Sequence, residues 1–156
     1  MKSDDASGAL WRPGMTLERL RERLRRTLAE HLGIEIVEIG PDHLAATMPV
    51  DHRTRQPMGM LHGGASVVLA ETLGSLAANA ANHDSARRYV GQEINANHLR
   101  PVPEGSTVTG EARPLHIGRS SQVWSIEIRN DRGDLVCVSR LTMAAIKAPQ
   151  NDVVGA

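Results

Sequence analysis

Residues 61–82 read LHGGASVVLAETLGSLAANAAN. The segment from Ala65 to about Asn82 is predicted to be helical, and its side chains are apolar or small nearly all round. A helix without a polar face is expected to lie inside a domain rather than on its surface. The rest of the chain is therefore expected to fold around this helix.

Strand-like segments lie on both sides of this helix in the sequence. Residues 34–39 are rich in β-branched side chains, and apolar residues alternate from Leu44 to Val50, which predicts a hairpin. Four further strand-like runs are joined by short turns: 89–99, 107–115, 122–130 and 135–146. Short connections favour antiparallel neighbours. The sequence thus predicts an α+β fold in which a mostly antiparallel sheet of about six strands wraps a long buried helix.

The region before the hairpin carries leucines at helical spacing. One amphipathic helix is predicted from Thr16, with Gly33 as its stop and its apolar face formed by Leu17, Leu20, Leu24, Leu28 and Leu32. We expect residues 1–14 to form a flexible arm, from which Trp11 can dock onto the domain. Residues 15–147 then form a single domain, and residues 148–156 form a flexible tail.

Composition excludes several classes of protein. Eighteen basic and 18 acidic residues balance, and only two Trp and one Tyr are present, so neither phosphate attraction nor base stacking favours nucleic-acid binding. No apolar run approaches the ~18 residues of a membrane helix, and no secretory signal follows Met1. The single cysteine, Cys137, lacks a disulfide partner within the chain. A cytoplasmic protein with an aliphatic core is expected.

Glu71 is the most informative residue of the chain. It is the one charged side chain between Arg55 and Asp84, and it lies in the middle of the predicted buried helix. Burial disfavours ionisation and raises the pKa of a carboxyl group, which makes the group a good base near neutral pH. Ser75 follows one turn later on the same face. The alternative is a helix glutamate facing solvent or another subunit, with a partner charge.

The start of the same helix offers a second set of functional groups. His62-Gly63-Gly64 places side-chain-free backbone where unpaired N–H groups can stabilise a developing oxyanion. Glu71 lies nine positions after His62, about 13–14 Å along a helix, which is too far for both ends to reach one carbonyl. Two antiparallel helices in a two-fold dimer would bring Gly63 of one copy to Glu71 of the other. A simple tight turn at the glycines is the alternative.

Other catalytic motifs are absent from the sequence. No nucleophile elbow and no phosphate-binding loop occur, and no two of the seven histidines have helical metal-ligand spacing. A metal site is therefore not expected. His98 and Arg100 at a strand end, and Arg119 and Ser120 in a turn, are able to bind a phosphorylated ligand. From these residues alone, ordinary surface charge is the favoured interpretation.

Three separated motifs resemble the hot-dog-fold acyl-CoA thioesterases. These are residues 56–75, with Gln56-Pro57 and the helix just described, then residues 90–100 and 114–119. The similarity covers about residues 16–147. More narrowly, the chain is similar to the hydroxybenzoyl-CoA and 1,4-dihydroxy-2-naphthoyl-CoA thioesterase branch. Close relatives usually carry a hydrophobic or aromatic residue after Gln-Pro, a position that bears on the shape of the acyl pocket. In this chain that residue is Met58.

The resemblance implies a role for each candidate residue. Glu71 matches the catalytic carboxylate, as nucleophile or as base for water, and Ser75 would position that water. Gly63 and Gln56 would polarise the thioester carbonyl, and His62 would assist the leaving thiolate. The implied coenzyme A contacts are His98, Arg100, Gly118, Arg119 and Ser120. No cofactor is implied beyond the coenzyme A of the substrate.

The resemblance also implies a homotetramer made of two dimers, with active sites between subunits. The expected activity is hydrolysis of an acyl-CoA or acyl-carrier-protein thioester, with an aromatic or otherwise bulky acyl group. One alternative is a hot-dog hydratase or dehydratase, which leaves the thioester intact. A second is a non-catalytic acyl-CoA-binding module, which would retain the ligand without releasing thiol.

Overall fold

The computed structural model describes residues 10–149. Within this range the helices are α1 (Leu17–Leu24), α2 (Leu28–His31) and α3 (Gly63–Ala80). The strands are β1 (Glu35–Ile39), β2 (Leu44–Pro49), β3 (Arg87–His98), β4 (Thr107–Ile117), β5 (Ser121–Arg129) and β6 (Leu135–Lys147). They form one antiparallel sheet in the order β1-β2-β4-β5-β6-β3. The predicted α+β fold, with a sheet around a central helix, is confirmed.

Small residues let α3 lie close against the inner face of the sheet. A Cβ atom at Gly110 of β4 would come 2.9 Å from Leu73, and one at Gly74 of α3 would come 2.5 Å from Leu141. Inward-facing residues of β5, such as Trp124 and Ile126, are fully buried beneath the helix. Buried and exposed side chains alternate along β4 and β5, and α3 carries few large polar groups. The core forms where the buried side chains of these strands pack against the helix.

The prediction that α3 is buried on nearly every side is only half correct. Its side against the middle of the sheet is buried, but a second side, which borders β3, is partly exposed in the single chain. This half-buried stripe consists of Val67, Val68, Glu71, Thr72, Ser75, Leu76 and Asn79. A single sheet covers one side of a helix, so apolar residues on the other side must be covered by something else or stay exposed.

The upstream helix predicted as one element is broken into α1 and α2. Arg26 adopts a positive φ of 59°, and its N–H donates to the Glu30 carboxylate at 2.6 Å. The Thr27 hydroxyl donates to the carbonyl of Leu24 at 2.5 Å, which ends the first helix. Leucine spacing is the same for one helix or two, so these local hydrogen bonds were missed. As a result Leu28 points outward and is 58% exposed.

The expectation of an aliphatic core is only partly correct, because all three aromatic residues lie in the core. Trp11 is 2% exposed and stacks on Trp124 with ring centroids 6.3 Å apart. Its indole N–H donates to the carbonyl of Gly40 at 2.6 Å. Trp11 therefore docks onto the domain. The remainder of the predicted arm, residues 1–9, and residues 150–156 of the predicted tail lie outside the described residues.

The two edges of the sheet differ in how they are covered. At β1, α1 packs on the edge, and the Arg21 Nε–H donates to the carbonyl of Ile36 at 2.9 Å. At the other end β3 pairs only with β6 among the described residues, and Val90 in this strand is 41% exposed. None of the helices described here is long and apolar enough to cross a membrane.

Candidate active site

The start of α3 is organised by His62. This residue is the N-cap, and its Nδ1 accepts a hydrogen bond from the Gly64 N–H at 2.8 Å. Because Nδ1 is an acceptor, the proton of the neutral ring lies on Nε2, which is left as a donor. The carbonyl of His62 accepts from the N–H groups of Ala65 and Ser66. The Gly63 N–H, in contrast, has no hydrogen-bond acceptor within residues 10–149.

A cavity of about 340 Å³ opens beside the Gly63 amide. It is lined by four predicted site residues, Gln56, Gly63, His98 and Arg100, together with Leu61, Ser66, Leu99, Pro101 and Val136. A Cβ at Gly63 would lie 2.8 Å from His98 Nε2, so glycine allows the imidazole to approach the helix start. A single pocket thus contains the free Gly63 amide and two of the predicted coenzyme A contacts, His98 and Arg100.

Gln56 is held in a tight turn at the mouth of this cavity. Its backbone N–H donates to the carbonyl of Met60 at 2.7 Å, and its side-chain Oε1 accepts from the N–H of Met58. Gly59 closes the turn with a φ of 76°, which favours glycine. Since Oε1 is occupied, the Gln56 Nε2 amide is the part available to donate to a ligand. Met58, at the tip of the turn, is 76% exposed.

Glu71 lies on the half-buried stripe of α3, away from the cavity. Desolvation by burial raises the pKa of its carboxyl group above the ordinary glutamate value. Within the part of the chain that the structure describes, this carboxylate has no hydrogen-bond or ion-pair partner. The alternative expectation, a glutamate satisfied by a neighbouring charge, is thus not met within one chain. A half-buried, unpaired carboxylate is available to act as a base or a nucleophile.

One chain does not bring all of the predicted catalytic groups together. Glu71 lies eight positions after Gly63 in α3, a distance of about 12 Å at the helical rise. Ser75 lies one turn beyond Glu71 on the same stripe, and its carbonyl accepts from the Asn79 side chain at 3.0 Å. Gln56, His62 and Gly63 therefore form one group, and Glu71 and Ser75 form another.

The turn between β4 and β5 lines a different cavity, of about 290 Å³, which contains Gly118 and Arg119. The Tyr89 hydroxyl donates to the carbonyls of Gly118 and Arg119 at 2.9 and 3.2 Å. Arg87 donates to the same Arg119 carbonyl at 3.0 Å. The predicted coenzyme A contacts are consequently divided within one chain. His98 and Arg100 lie near Gly63, whereas Gly118 and Arg119 lie at the far end of α3.

Ser120 and Arg100 are each tied to the backbone of another strand. Ser120 accepts through its carbonyl from the Ala145 N–H at 2.9 Å, which ties the turn to β6. Arg100 donates to the carbonyl of Leu135 at 3.0 Å and so is fixed against the start of β6.

Sequence reasoning missed the residues that hold this framework. The Asn79 side chain makes two hydrogen bonds with the backbone of Tyr89, at 2.9 and 3.0 Å, and so fixes α3 against β3. A polar residue in an otherwise apolar helix was a signal for Asn79. No sequence signal joins Tyr89 to Gly118, because they meet only through the strand order β3-β6-β5.

The chain is similar to known proteins of one family. Residues 58–137 match the model of the thioesterase superfamily. A proofreading thioesterase, EntH, from Cronobacter turicensis is 51% identical over 137 residues, covering 88% of this chain and 98% of the relative. The 1,4-dihydroxy-2-naphthoyl-CoA hydrolase of Escherichia coli is 49% identical over 137 residues, covering 88% and 99%. The crystal structure of the thioesterase HI1161 from Haemophilus influenzae superposes with a TM-score of 0.85 at 51% identity, covering 91% and 98%.

Proposed function

Because the chain belongs to the thioesterase superfamily and is a thioester hydrolase, we propose that its substrates are acyl-CoA or acyl-carrier-protein thioesters with an aromatic or bulky acyl group. The observation that carries the proposal is the half-buried Glu71 carboxylate, which has no partner among the described residues. An aromatic acyl group is supported by the similarity to a 1,4-dihydroxy-2-naphthoyl-CoA hydrolase.

The active site is proposed to form between two copies of the chain. Antiparallel α3 helices would set the Gln56, His62 and Gly63 group of one copy against Glu71 and Ser75 of the other. The half-buried stripe of α3 and the uncovered edge of β3 support this arrangement, since a second copy would bury the first and pair the second. Two such dimers are proposed to associate as a homotetramer.

The proposed reaction follows from the donors and acceptors of that composite site. The thioester carbonyl oxygen accepts from the Gly63 N–H and from Gln56 Nε2, which stabilise the negative charge of the tetrahedral intermediate. Glu71 either attacks the carbonyl carbon or removes a proton from a water that Ser75 positions. The C–S bond breaks as the intermediate collapses, and the thiolate takes the proton given up by the water, with help from His62 Nε2–H. In the nucleophilic branch, collapse leaves an acyl–Glu71 anhydride, which a water hydrolyses to the free acid and the Glu71 carboxylate. No cofactor is needed, because coenzyme A belongs to the substrate.

Release of free thiol tests the proposed activity directly. The purified protein would be assayed on benzoyl-CoA, 1,4-dihydroxy-2-naphthoyl-CoA, acetyl-CoA, octanoyl-CoA and crotonyl-CoA, and on an aroyl-acyl carrier protein. Fastest release from an aromatic ester is the expected result. Hydration of crotonyl-CoA without thiol release, or retention of an ester without turnover, would contradict the proposal.

Mixing two inactive variants tests the composite site. Glu71→Gln removes the carboxylate, and Gln56→Ala removes one carbonyl donor, a loss of about 10²–10³-fold. In a heterodimer one of the two sites would hold Gln56 from the first variant and Glu71 from the second. Random association would make half of the dimers mixed, so we expect recovery of about a quarter of wild-type kcat after co-refolding. Each variant refolded alone is the control, and no gain on mixing would place the whole site within one chain.

Arg119→Ala is expected to weaken binding of CoA esters more than the chemical step. The Arg119 backbone is fixed by Tyr89 and Arg87, and its guanidinium has no partner among the described residues, so it is available to a phosphate. We expect KM for benzoyl-CoA to rise about tenfold with kcat nearly unchanged. An ester of N-acetylcysteamine, which lacks the phosphates, should show no change in KM. A loss confined to kcat would contradict the binding role.

A further inference from the structure

Gly91 lies where the carboxylate of Glu71 rests against β3. A Cβ atom built on Gly91 would lie 2.1 Å from Glu71 Oε1, 3.1 Å from its Cδ and 3.5 Å from its Oε2. These are the three nearest atoms, and all belong to Glu71. Real Cβ atoms do not approach an oxygen to 2.1 Å, so no other residue at position 91 is compatible with this position of the carboxylate.

The backbone of Gly91 gives no other reason for a glycine. Its φ lies outside the left-handed region that Gly33, Gly59 and Gly105 adopt, so an alanine would fit the backbone without strain. The strand is irregular here, with a bulge between Gly91 and Glu93, and bulges often direct a neighbouring group in a functional site. The missing side chain therefore provides space rather than conformational freedom.

We propose that Gly91 is a positioning residue, whose lack of a side chain lets the Glu71 carboxylate lie over β3 and so fixes where it meets the thioester. This inference rests on the proposed catalytic role of Glu71. Without the space at Gly91 the carboxylate must turn away from β3, along the stripe of α3 or toward the neighbouring subunit. Because the clash falls on the end of a flexible side chain, it displaces the carboxylate and leaves the packing of the fold intact.

The electrostatic environment of Glu71 provides a readout of this position. Its pKa is raised by desolvation, and no charged neighbour contributes to the shift. Residues 63–80 of α3 contain no other charged side chain, and the ionisable groups of β3 are Arg87, Arg88, Tyr89, Glu93 and His98. A carboxylate moved off β3 has different surroundings and a different desolvation, so its pKa should differ from that in the wild type.

Gly91→Ala is the variant that tests the proposal, assayed with benzoyl-CoA and by carboxyl carbon NMR on ¹³C-glutamate-labelled protein. We expect kcat to fall by about 10²-fold with KM nearly unchanged, because a displacement of about 1 Å has that effect on a reacting group. The Glu71 resonance, assigned by its loss in Glu71→Gln, should titrate at a different pH from that in the wild type.

Gly110→Ala is the matched control. Its added Cβ also presses on α3, 2.9 Å from Leu73 Cδ1, but it does not touch Glu71. This variant should lower thermal stability while leaving the Glu71 titration unchanged. The same titration in Gly91→Ala as in the wild type, with unchanged kcat, would overturn the proposal.

A double-mutant cycle separates displacement of the carboxylate from general disruption of β3. Glu71→Asp shortens the side chain by one methylene, which withdraws the carboxylate from position 91. In that background Gly91→Ala should have little further effect on kcat, so the two losses should not add. Additive losses would mean that Gly91 acts independently of Glu71. If Glu71→Gln retained turnover, the proposed function itself would fail, whatever the NMR titration of Gly91→Ala showed.

Discussion

Glu71→Gln is expected to lower kcat by about 10²–10⁴-fold, the range that a positioned base contributes. The amide has nearly the same shape as the carboxylate, but it neither attacks a carbonyl nor accepts a proton from water. Binding of an unreactive CoA thioether analogue should be unchanged, since Glu71 is proposed to act only on the reacting carbon. A kcat within tenfold of wild type would remove Glu71 from the chemistry.

The stability of the same variant checks that it is folded and tests the environment of Glu71. A carboxyl group whose pKa is raised by folding holds its proton more tightly in the folded chain than in the unfolded chain. Ionisation therefore lowers stability as pH rises from the ordinary glutamate range through the raised pKa, and the full loss is present above it. Glu71→Gln removes this loss. Its Tm should exceed that of wild type at pH 7, and the difference should shrink below about pH 4.

The same desolvation is expected to set the acid limb of the wild-type activity. If the carboxylate is the active form, kcat/KM falls as pH drops through the raised pKa of Glu71. The carboxylate thus destabilises the single chain at the pH where it is needed. Such a cost at one position is typical of a functional group rather than a structural one.

The elements of the fold could be predicted because each has a pattern of its own. The apolar positions of residues 65–80 and the alternation in β2 and β5 depend on which side chains meet the core, and the structure places these elements close to the predicted bounds. The break at Arg26 had no such pattern. Two short helices with the same leucine spacing bury a similar face, and the hydrogen bond from the Arg26 N–H to Glu30 decides between them.

The two groups of residues in the candidate site could be predicted from the sequence, but the residues that surround and position them could not. Glu71 stood out because a charge in an apolar helix is costly, and Gly63 because a helix start leaves N–H groups unpaired. Gly91 gave no comparable signal, since a glycine in a strand is usually read as a bulge or a weak point. Its relation to Glu71 depends on the contact between α3 and β3, which no local pattern encodes.

Trp11→Ala is expected to destabilise the domain by about 3–5 kcal/mol, the range for removing a buried tryptophan. Trp11 lies within the segment that the sequence predicted as a flexible arm, yet its ring is 2% exposed and stacks on Trp124 of β5. Its loss would leave a cavity between β5 and the β1–β2 turn and would leave the Gly40 carbonyl without its indole donor. Urea unfolding at fixed protein concentration measures the change.

Trp11→Phe separates the two contributions of this side chain. Phenylalanine keeps an aromatic ring against Trp124 but has no N–H for Gly40. Trp11→Phe should therefore lower the free energy of unfolding by less than Trp11→Ala does, but by at least the ~1 kcal/mol of one buried hydrogen bond. A loss below about 1 kcal/mol for Trp11→Ala would mean that the domain closes over Trp124 without Trp11. The expected order of unfolding free energies is wild type highest, then Trp11→Phe, then Trp11→Ala. That order would place the start of the folded domain at or before Trp11, upstream of the sequence-predicted boundary at residue 15.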